Sequence, residues 1–365
     1  MEVTSAPPVS PGYAQPTLAH KVYQIAKQFV SSYTFRVVIQ GLFTLWVVTT
    51  FTFILIRKMP GNPVQIKIDE LVDKQQMPYE DARRIAAGMY DFDPDEPLIQ
   101  QYGDYMTKLL QGDMGKSIAA SGTPVISQIK RYLPWTLFAV GTGLLISFTL
   151  GVFLGMAMAY WRGGILDNTL TALASIMYGV PDFVIALLLL LVAGVQLKWF
   201  QIGDVLGGVS QDVEPGLTPT YITNLFQHVA LPVLTYVWTT VGGWILTMKS
   251  STLSTLGEDY ITVAKARGLP ERRILLAYVG RNAMLPLVTR LAISIGFVMG
   301  GSVIIETIFQ YPGLGRLLST AISGRDYTTM QGVFLTIAAG VVFSNILADL
   351  LFGLLDPRVR VGGQK

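Results

Sequence analysis

Residues 258–286, EDYITVAKARGLPERRILLAYVGRNAMLP, form a basic, helix-prone segment lodged between two long apolar runs. It is too polar to span a bilayer and too regular to be a plain connector. Thr255 and Glu258 have the spacing of a capping box, and the residues up to Arg267 fill about three helical turns. Gly268 suits a left-handed C-terminal stop, and Pro270 opens a second helix. The expected product is a short rigid rod set across the ends of two membrane helices, a part able to transmit force.

The flanking sequence decides the environment of this rod. Of 365 residues, 51% are hydrophobic and 14% charged, with the apolar ones gathered in blocks; this composition is that of a membrane protein. Having no cysteine, the chain has no disulfide framework, thiolate metal site or thiol nucleophile, and its redox compartment is undetermined. A helix needs about 20 apolar residues to cross the hydrocarbon core. Six segments qualify, at 35–56, 134–160, 168–196, 226–248, 285–308 and 330–355; Pro181 and Asp182 interrupt the third and Arg290 the fifth. The resulting division is a 1–34 tail, a first span at 35–56, a soluble insertion at 57–133, a five-span core at 134–355 containing the 249–284 loop, and a 356–365 tail. Helical patterns near 79–90 and 97–111 lie in the insertion. The first span is long enough to stay as an anchor, with no cleavable signal expected before it.

Basic residues set the orientation. Lys249, Lys265, Arg267, Arg272, Arg273 and Arg281 crowd the 249–284 loop, against Lys198 alone in 197–225 and Arg316 and Arg325 in 309–329. Short loops rich in Lys and Arg face the cytoplasm, so this loop is expected inside, together with both termini if the spans number six, and the 57–133 insertion outside. Residues 18–34 fit an amphipathic helix on the inner membrane surface as well as they fit a polar lead-in.

Several motifs bear on chemistry. GKS at 115–117 ends like a phosphate loop, but Leu110 stands where the first glycine belongs, so any ATP is expected on a separate protein. His20 and His228 form neither a metal cluster nor a serine-protease pair, and His228 marks an interfacial helix start ahead of Pro232. Gly151 with Gly155, and Gly296 with Gly300, permit close helix approach. Pro181 breaks the backbone ladder within a span and frees a carbonyl. Asp182 follows it, and a carboxylate near the bilayer centre costs on the order of 3 kcal/mol and usually faces a pathway. Pro181 and Asp182 are therefore the pathway positions; the alternatives are that Asp182 caps the restarted helix or lies nearer an interface. Arg290 is expected to snorkel to the cytoplasmic interface. Asp349 and Asp356, seven residues apart, share a face at the end of the last span. Pro357 then stops the helix, and Arg358 and Arg360 stand where the helix C-terminus and inner-surface phosphates favour cations.

Ala264-x-Ala266-x-Gly268, followed by Asn282, Ala283, Met284, Leu285 and Pro286, resembles the EAA loop of binding-protein-dependent ABC importer permeases. MPGNP at 59–63, GDMGKS at 112–117 within the block from Gln100, YPGLGR at 311–316 with Arg325, Asp326 and Tyr327, and LLDPRVR at 354–360 are similar to the peptide and nickel subfamily, the dipeptide and oligopeptide permease B components. These blocks cover nearly the whole chain from about residue 35. The resemblance implies an all-α polytopic membrane protein, a six-transmembrane-helix type I ABC importer permease of the cytoplasmic (inner) cell membrane, surrounded by lipid and working by alternating access. Its implied partners are a second homologous permease subunit, two cytoplasmic ATPase subunits or domains and an external substrate-binding protein, with no nucleic acid. No cofactor is implied in this chain, since ATP and magnesium belong to the ATPase partners.

Within the loop, Glu258, Ala264, Ala266, Arg267, Gly268 and Pro286 are the implied ATPase-coupling residues. Peptides are the implied cargo, ahead of oligosaccharides and nickel complexes. Asp182 suits a peptide amine, whereas Trp238 and Trp244 offer stacking surfaces to a sugar. The long N-terminus, the acidic insertion at 66–96 and Asp182 itself depart from the family pattern. A polytopic membrane enzyme and a self-sufficient ion-coupled carrier or channel are the readings from other classes, and neither gives the 258–286 segment a purpose.

Overall fold

The computed structural model describes residues 33–58, 63–90, 96–117, 119–120 and 122–355. The 1–32 tail, most of MPGNP, and Asp356 and Arg358 of the final motif lie outside the described residues, whereas Asp349 falls within the last helix. Among the described residues the regular structure is helical, apart from one antiparallel bridge between Lys116 and Pro124. In chain order the helices are α1 Tyr33–Lys58, α2 Pro63–Gln75, α3 Tyr79–Tyr90, α4 Leu98–Leu110, α5 Val125–Tyr160, α6 Ile165–Gly179 and α7 Asp182–Leu189. They continue with α8 Pro219–Leu256, α9 Asp259–Ala266, α10 Leu285–Val298, α11 Val303–Ile308, α12 Leu314–Ser323 and α13 Tyr327–Leu355. A π-helical stretch, Leu190–Gln196, prolongs α7, and another, Ile274–Gly280, lies between the single turns Glu271–Arg273 and Arg281–Ala283.

Among the described residues four helices are long and apolar enough to cross a membrane: Phe35–Leu55, Val125–Tyr160, Pro219–Leu256 and Tyr327–Leu347. Ile165–Gly179 and Asp182–Gln196 make a fifth span only if counted together, for they are bent by 101°. The bend has a local cause: proline disfavours the helical region for the residue before it, and Val180 is extended, with φ −86° and ψ 128°. The expected span at 285–308 is instead the 14-residue α10, a turn through Gly301 at φ +62°, and the short α11. Hydropathy measures whether a block tolerates lipid, not whether it runs straight, so length alone supports four or five spans rather than six.

Two helices overrun their expected spans. α5 has 36 residues and α8 has 38, about 54 and 57 Å at 1.5 Å per residue, against a hydrocarbon core of about 30 Å. α8 starts at Pro219, where Thr218 accepts the Tyr221 N–H as an N-cap, and His228 is therefore a buried mid-helix residue, bonded to Asn224 O, and not the mark of an interfacial start. The pair packs along a stripe of small residues at spacing four, Gly143, Ser147, Gly151 and Gly155. A Cβ on Gly151 would lie 2.2 Å from Trp244 Cβ, and one on Gly155 would lie 2.5 Å from the Ile245 carbonyl oxygen, so only glycine admits this approach. Gly296 likewise brings α10 onto α13, where a Cβ would lie 3.0 Å from Val341 Cα, and α13 also receives α1 at Gly41. Leu42, Phe43, Trp46 and Phe51 remain exposed on α1, a face suited to lipid. Apart from this bundle, α2 and α3 form a hairpin with a small core of its own, Ile68, Leu71, Ala82 and Ala86.

A buried polar knot joins α11 to α12. The fully buried Glu306 carboxyl accepts from Thr136 Oγ1 at 2.9 Å, from the Gly315 N–H at 2.7 Å and from the Arg316 N–H at 3.2 Å, while Thr136 Oγ1 accepts the Leu314 N–H at 2.7 Å. The start of α12 is thus capped by a side chain from another helix. Gly313 is required here because a Cβ would lie 2.2 Å from Glu306 Oε2. A second knot ties the insertion to the core: buried Asp326, at the head of α13, accepts from Ser117 Oγ, from Thr329 Oγ1 at 2.8 Å and from the Thr329 N–H at 3.1 Å. GKS at 115–117 and the Arg325-Asp326-Tyr327 run, 209 residues apart at Ser117 and Asp326, meet at this point.

Candidate functional site

α9 and the helical run that begins at Glu271 form a compact hairpin at the end of α8. α8 continues through Thr255, whose hydroxyl donates to Ser251 O, and Glu258 is the N-cap of α9 without a side-chain hydrogen bond. The expected capping box is therefore absent, since the same three-residue spacing occurs inside any continuing helix. α9 has 8 residues, nearer two turns than three.

Its end is as the sequence predicts. Gly268 has φ +71°, its N–H donates to Lys265 O at 2.9 Å, and the Leu269 N–H donates to Ala264 O at 3.3 Å, the two bonds of a Schellman stop. Leu269 turns back with Leu256 and Tyr278 onto Ile261, Ala264, Ile274 and Val279, which close the hairpin. Pro270 is the N-cap of the second arm, one position earlier than a proline at the first helical residue.

The coupling residues named from the sequence thus divide. Ala264 is buried in the hairpin's own core, where a larger side chain has no room, whereas Glu258, Ala266, Arg267, Gly268 and Pro286 are exposed. Val263 and Leu276, 57% and 53% exposed, add apolar surface to the same hairpin. Polar tethers fasten it to the long helices. Tyr160 OH, at the end of α5, donates to Glu271 Oε2 at 2.5 Å and Ser251 Oγ of α8 donates to Ala283 O at 2.7 Å, while within the hairpin Asn282 Nδ2 joins the two arms by donating to Tyr260 OH at 2.8 Å. Near the same end, Lys249 pairs with Asp167 at 2.6 Å and reaches Thr171 Oγ1 at 2.9 Å, holding the start of α6 against α8. The hairpin is thus bonded to both α5 and α8.

Along α8, away from the hairpin, a cavity of about 290 Å³ opens among α5, α6, α8 and α10, with Tyr178, Tyr236, Thr240, Trp244, Arg290 and Ser294 in its wall. Arg290, expected to snorkel to the cytoplasmic interface, is exposed and reaches across to α8. Its Nη1 donates to Thr247 Oγ1 at 2.9 Å and lies 3.5 Å from Gly243 O, with the guanidinium 4.8 Å from the Trp244 ring centre. Asp182 is half-buried in the first turn of α7, after the N-cap residue Pro181. Ser302 Oγ donates to its Oδ2 at 3.5 Å, and the Ser302 N–H donates to Tyr236 OH at 3.2 Å, so Asp182 stands one residue removed from the cavity wall. Pro181 and Asp182 are thus brought to the cavity's edge, while Asp349 lies on a separate helix end. The sequence reading did not single out Glu306 and gave Arg290 only an interfacial position. The available signal was the same for both, a single ionisable residue within an apolar run.

A helical bundle with several membrane-length helices and an exposed, tethered hairpin defines a multi-pass membrane protein. Residues 151–361 match the family of binding-protein-dependent transport system inner membrane components, and the chain belongs to that family. It is 35% identical over 321 residues, 88% of this chain and 96% of the relative, to a protein of Brucella suis biovar 1 that carries a peptide-permease name. It is 32% identical to the di/tripeptide transport system permease DppB of Pseudomonas aeruginosa, over 87% of this chain and 95% of that one. The oligopeptide transport system permease AppB of Bacillus subtilis is 29% identical over 90% and 99% of the two chains. The chain is accordingly a transport component of the type I permease fold.

Proposed function

We infer that this chain is the permease subunit of an ATP-driven importer that takes up peptides delivered by an external binding protein. The observation that carries this reading is the hairpin: an exposed, glycine-stopped rod with apolar surface, tied by hydrogen bonds to α5 and α8, has the form of a socket for a moving partner. Two cytoplasmic ATPase subunits that bind nucleotide and magnesium are that partner, and a second homologous permease completes the pathway. On ATP-driven closure the ATPases push α9. Gly268 keeps the corner rigid, the tethers at Glu271 and Ala283 carry the displacement to α5 and α8, and the bundle rocks to open outward.

The hairpin and both termini face the cytoplasm, and the 57–133 insertion faces outside. This arrangement counts the bent α6–α7 pair as one crossing and α10 as another. Peptide cargo is supported by the names of the relatives and by Asp182 at the cavity edge, a partner for a peptide amine. Oligosaccharide stacking is disfavoured at Trp244, whose ring already carries the Arg290 guanidinium.

The test is co-purification after mild detergent extraction, followed by uptake of labelled peptide in proteoliposomes supplied with binding protein and ATP. Peptide uptake that needs the ATPase partners supports the reading; a fully active chain without ATPases, or uptake of oligosaccharide alone, rejects it. Because the chain lacks cysteine, a single thiol placed at Ser250 reports orientation directly, and reaction with an impermeant reagent from outside would reverse the assignment.

A further inference from the structure

We propose that the Arg290 end of the cavity is a subsite for a carboxylate, so that Arg290, through Trp244 and Thr247, receives the C-terminal group of a peptide while it crosses this subunit. The inference rests on the peptide reading above.

The first ground is that Arg290 is a cation without a counter-ion. Among the described residues it has no ion pair with Asp or Glu, and its partners are a threonine hydroxyl, a backbone carbonyl and an aromatic face, all neutral. A charge within a membrane segment is costly and usually lines a pathway. The second ground is geometry. Hydrogen bonding from Nη1 and the contact with the Trp244 ring at 4.8 Å hold the guanidinium while leaving other N–H donors of the planar fork available, the arrangement that recognises a carboxylate by paired hydrogen bonds.

The third ground is spacing. Tyr236, whose hydroxyl accepts from Ser302 beside Asp182, precedes Gly243 by seven residues on α8, about 10 Å along the axis. A fully extended tripeptide spans about 10 Å. The cavity therefore has an anionic edge at Asp182 and a cationic wall at Arg290, and the α8 residues that meet these two groups, Tyr236 and Gly243, are as far apart along the helix as a short peptide is long. Thr239 and Thr240 stand between them and supply neutral hydrogen-bonding side chains for the peptide backbone.

The test uses the assembled complex carrying Ser294→Cys, a unique thiol in this chain on the cavity wall. Maleimide labelling of that thiol is timed in the presence of trialanine or of trialanine amide, which differ only in the terminal carboxylate. Trialanine is expected to slow labelling about tenfold more than its amide, the size of one charge-assisted hydrogen bond, and Arg290→Met abolishes the difference. Arg290→Lys, which keeps the charge and loses the fork, leaves a reduced difference. If the Met variant does not assemble, the two peptides compared in the Arg290 and Arg290→Lys complexes decide the matter. Equal protection by both peptides with Arg290 in place, no protection by either, or a difference that survives Arg290→Met overturns the subsite. Uptake of trialanine by the wild-type complex is measured alongside: uptake without carboxylate-dependent protection removes the subsite alone, whereas absence of uptake removes the peptide reading as well.

Discussion

The hairpin at 258–283 and the knot around Glu306 are both short helical segments that do not span, and each turns on a glycine with positive φ, Gly268 at +71° and Gly301 at +62°. Their surroundings are opposite. A Cβ on Gly268 would meet nothing within 4 Å, whereas one on Gly301 would lie 2.5 Å from Glu306 Oε1 and one on Gly313 2.2 Å from Glu306 Oε2. In the first region glycine satisfies a backbone conformation and leaves the surface open to a partner. In the second it satisfies close packing around a buried carboxyl. On the proposed function the first region takes the push of the ATPases and the second stays still.

The strongest way to break this contrast is Glu306→Ala. It leaves the Gly315 and Arg316 N–H groups and the Thr136 hydroxyl without their acceptor, at an expected cost of about 3 kcal/mol or more. Complex yield and the thermal aggregation temperature of the solubilised protein should both fall, with Glu306→Gln intermediate. A Glu306→Ala protein as stable as wild type would mean the knot anchors nothing.

Gly268→Val comes next. Left-handed backbone costs an L-residue about 1–2 kcal/mol, and a β-branched one finds it hardest. Complex yield should hold while ATP hydrolysis uncouples from uptake, and Gly268→Asn should stay near normal because asparagine tolerates this conformation. If Val and Asn behave alike, the Schellman corner is not what transmits the push.

The smallest effect is expected from Tyr160→Phe, which removes the hydroxyl from Glu271 and one tether between hairpin and α5. Transport should drop a few-fold, with the aggregation temperature unchanged because the pair is exposed. A fall in stability instead would place the hairpin on the static side of the comparison.

What the residues announce in advance follows how local each cause is. Gly268 and Pro270 act through their own backbone preferences, so the stop of α9 and the start of the second arm were legible. Pro181 likewise declared a break, although not the 101° it produces, since that angle depends on what each half packs against. Apolar blocks located the long helices to within several residues. They erred at the ends, because α5 and α8 run on past the lipid wherever capping and packing allow.

By itself the sequence determined the class: apolar blocks with a basic, glycine-stopped rod among them already require a membrane bundle with a handle, because both follow from contiguous residues. Only the tertiary structure decided which ionisable groups matter. Ser117 meets Asp326 and Thr136 meets Glu306 across 209 and 170 residues, and Arg290 crosses from α10 to Trp244 on α8. No spacing rule joins such pairs. Their proximity follows from the glycine stripe that lets α5 and α8 approach and from the breaks at Pro181 and Gly301, and it is settled only when helices distant in sequence pack together.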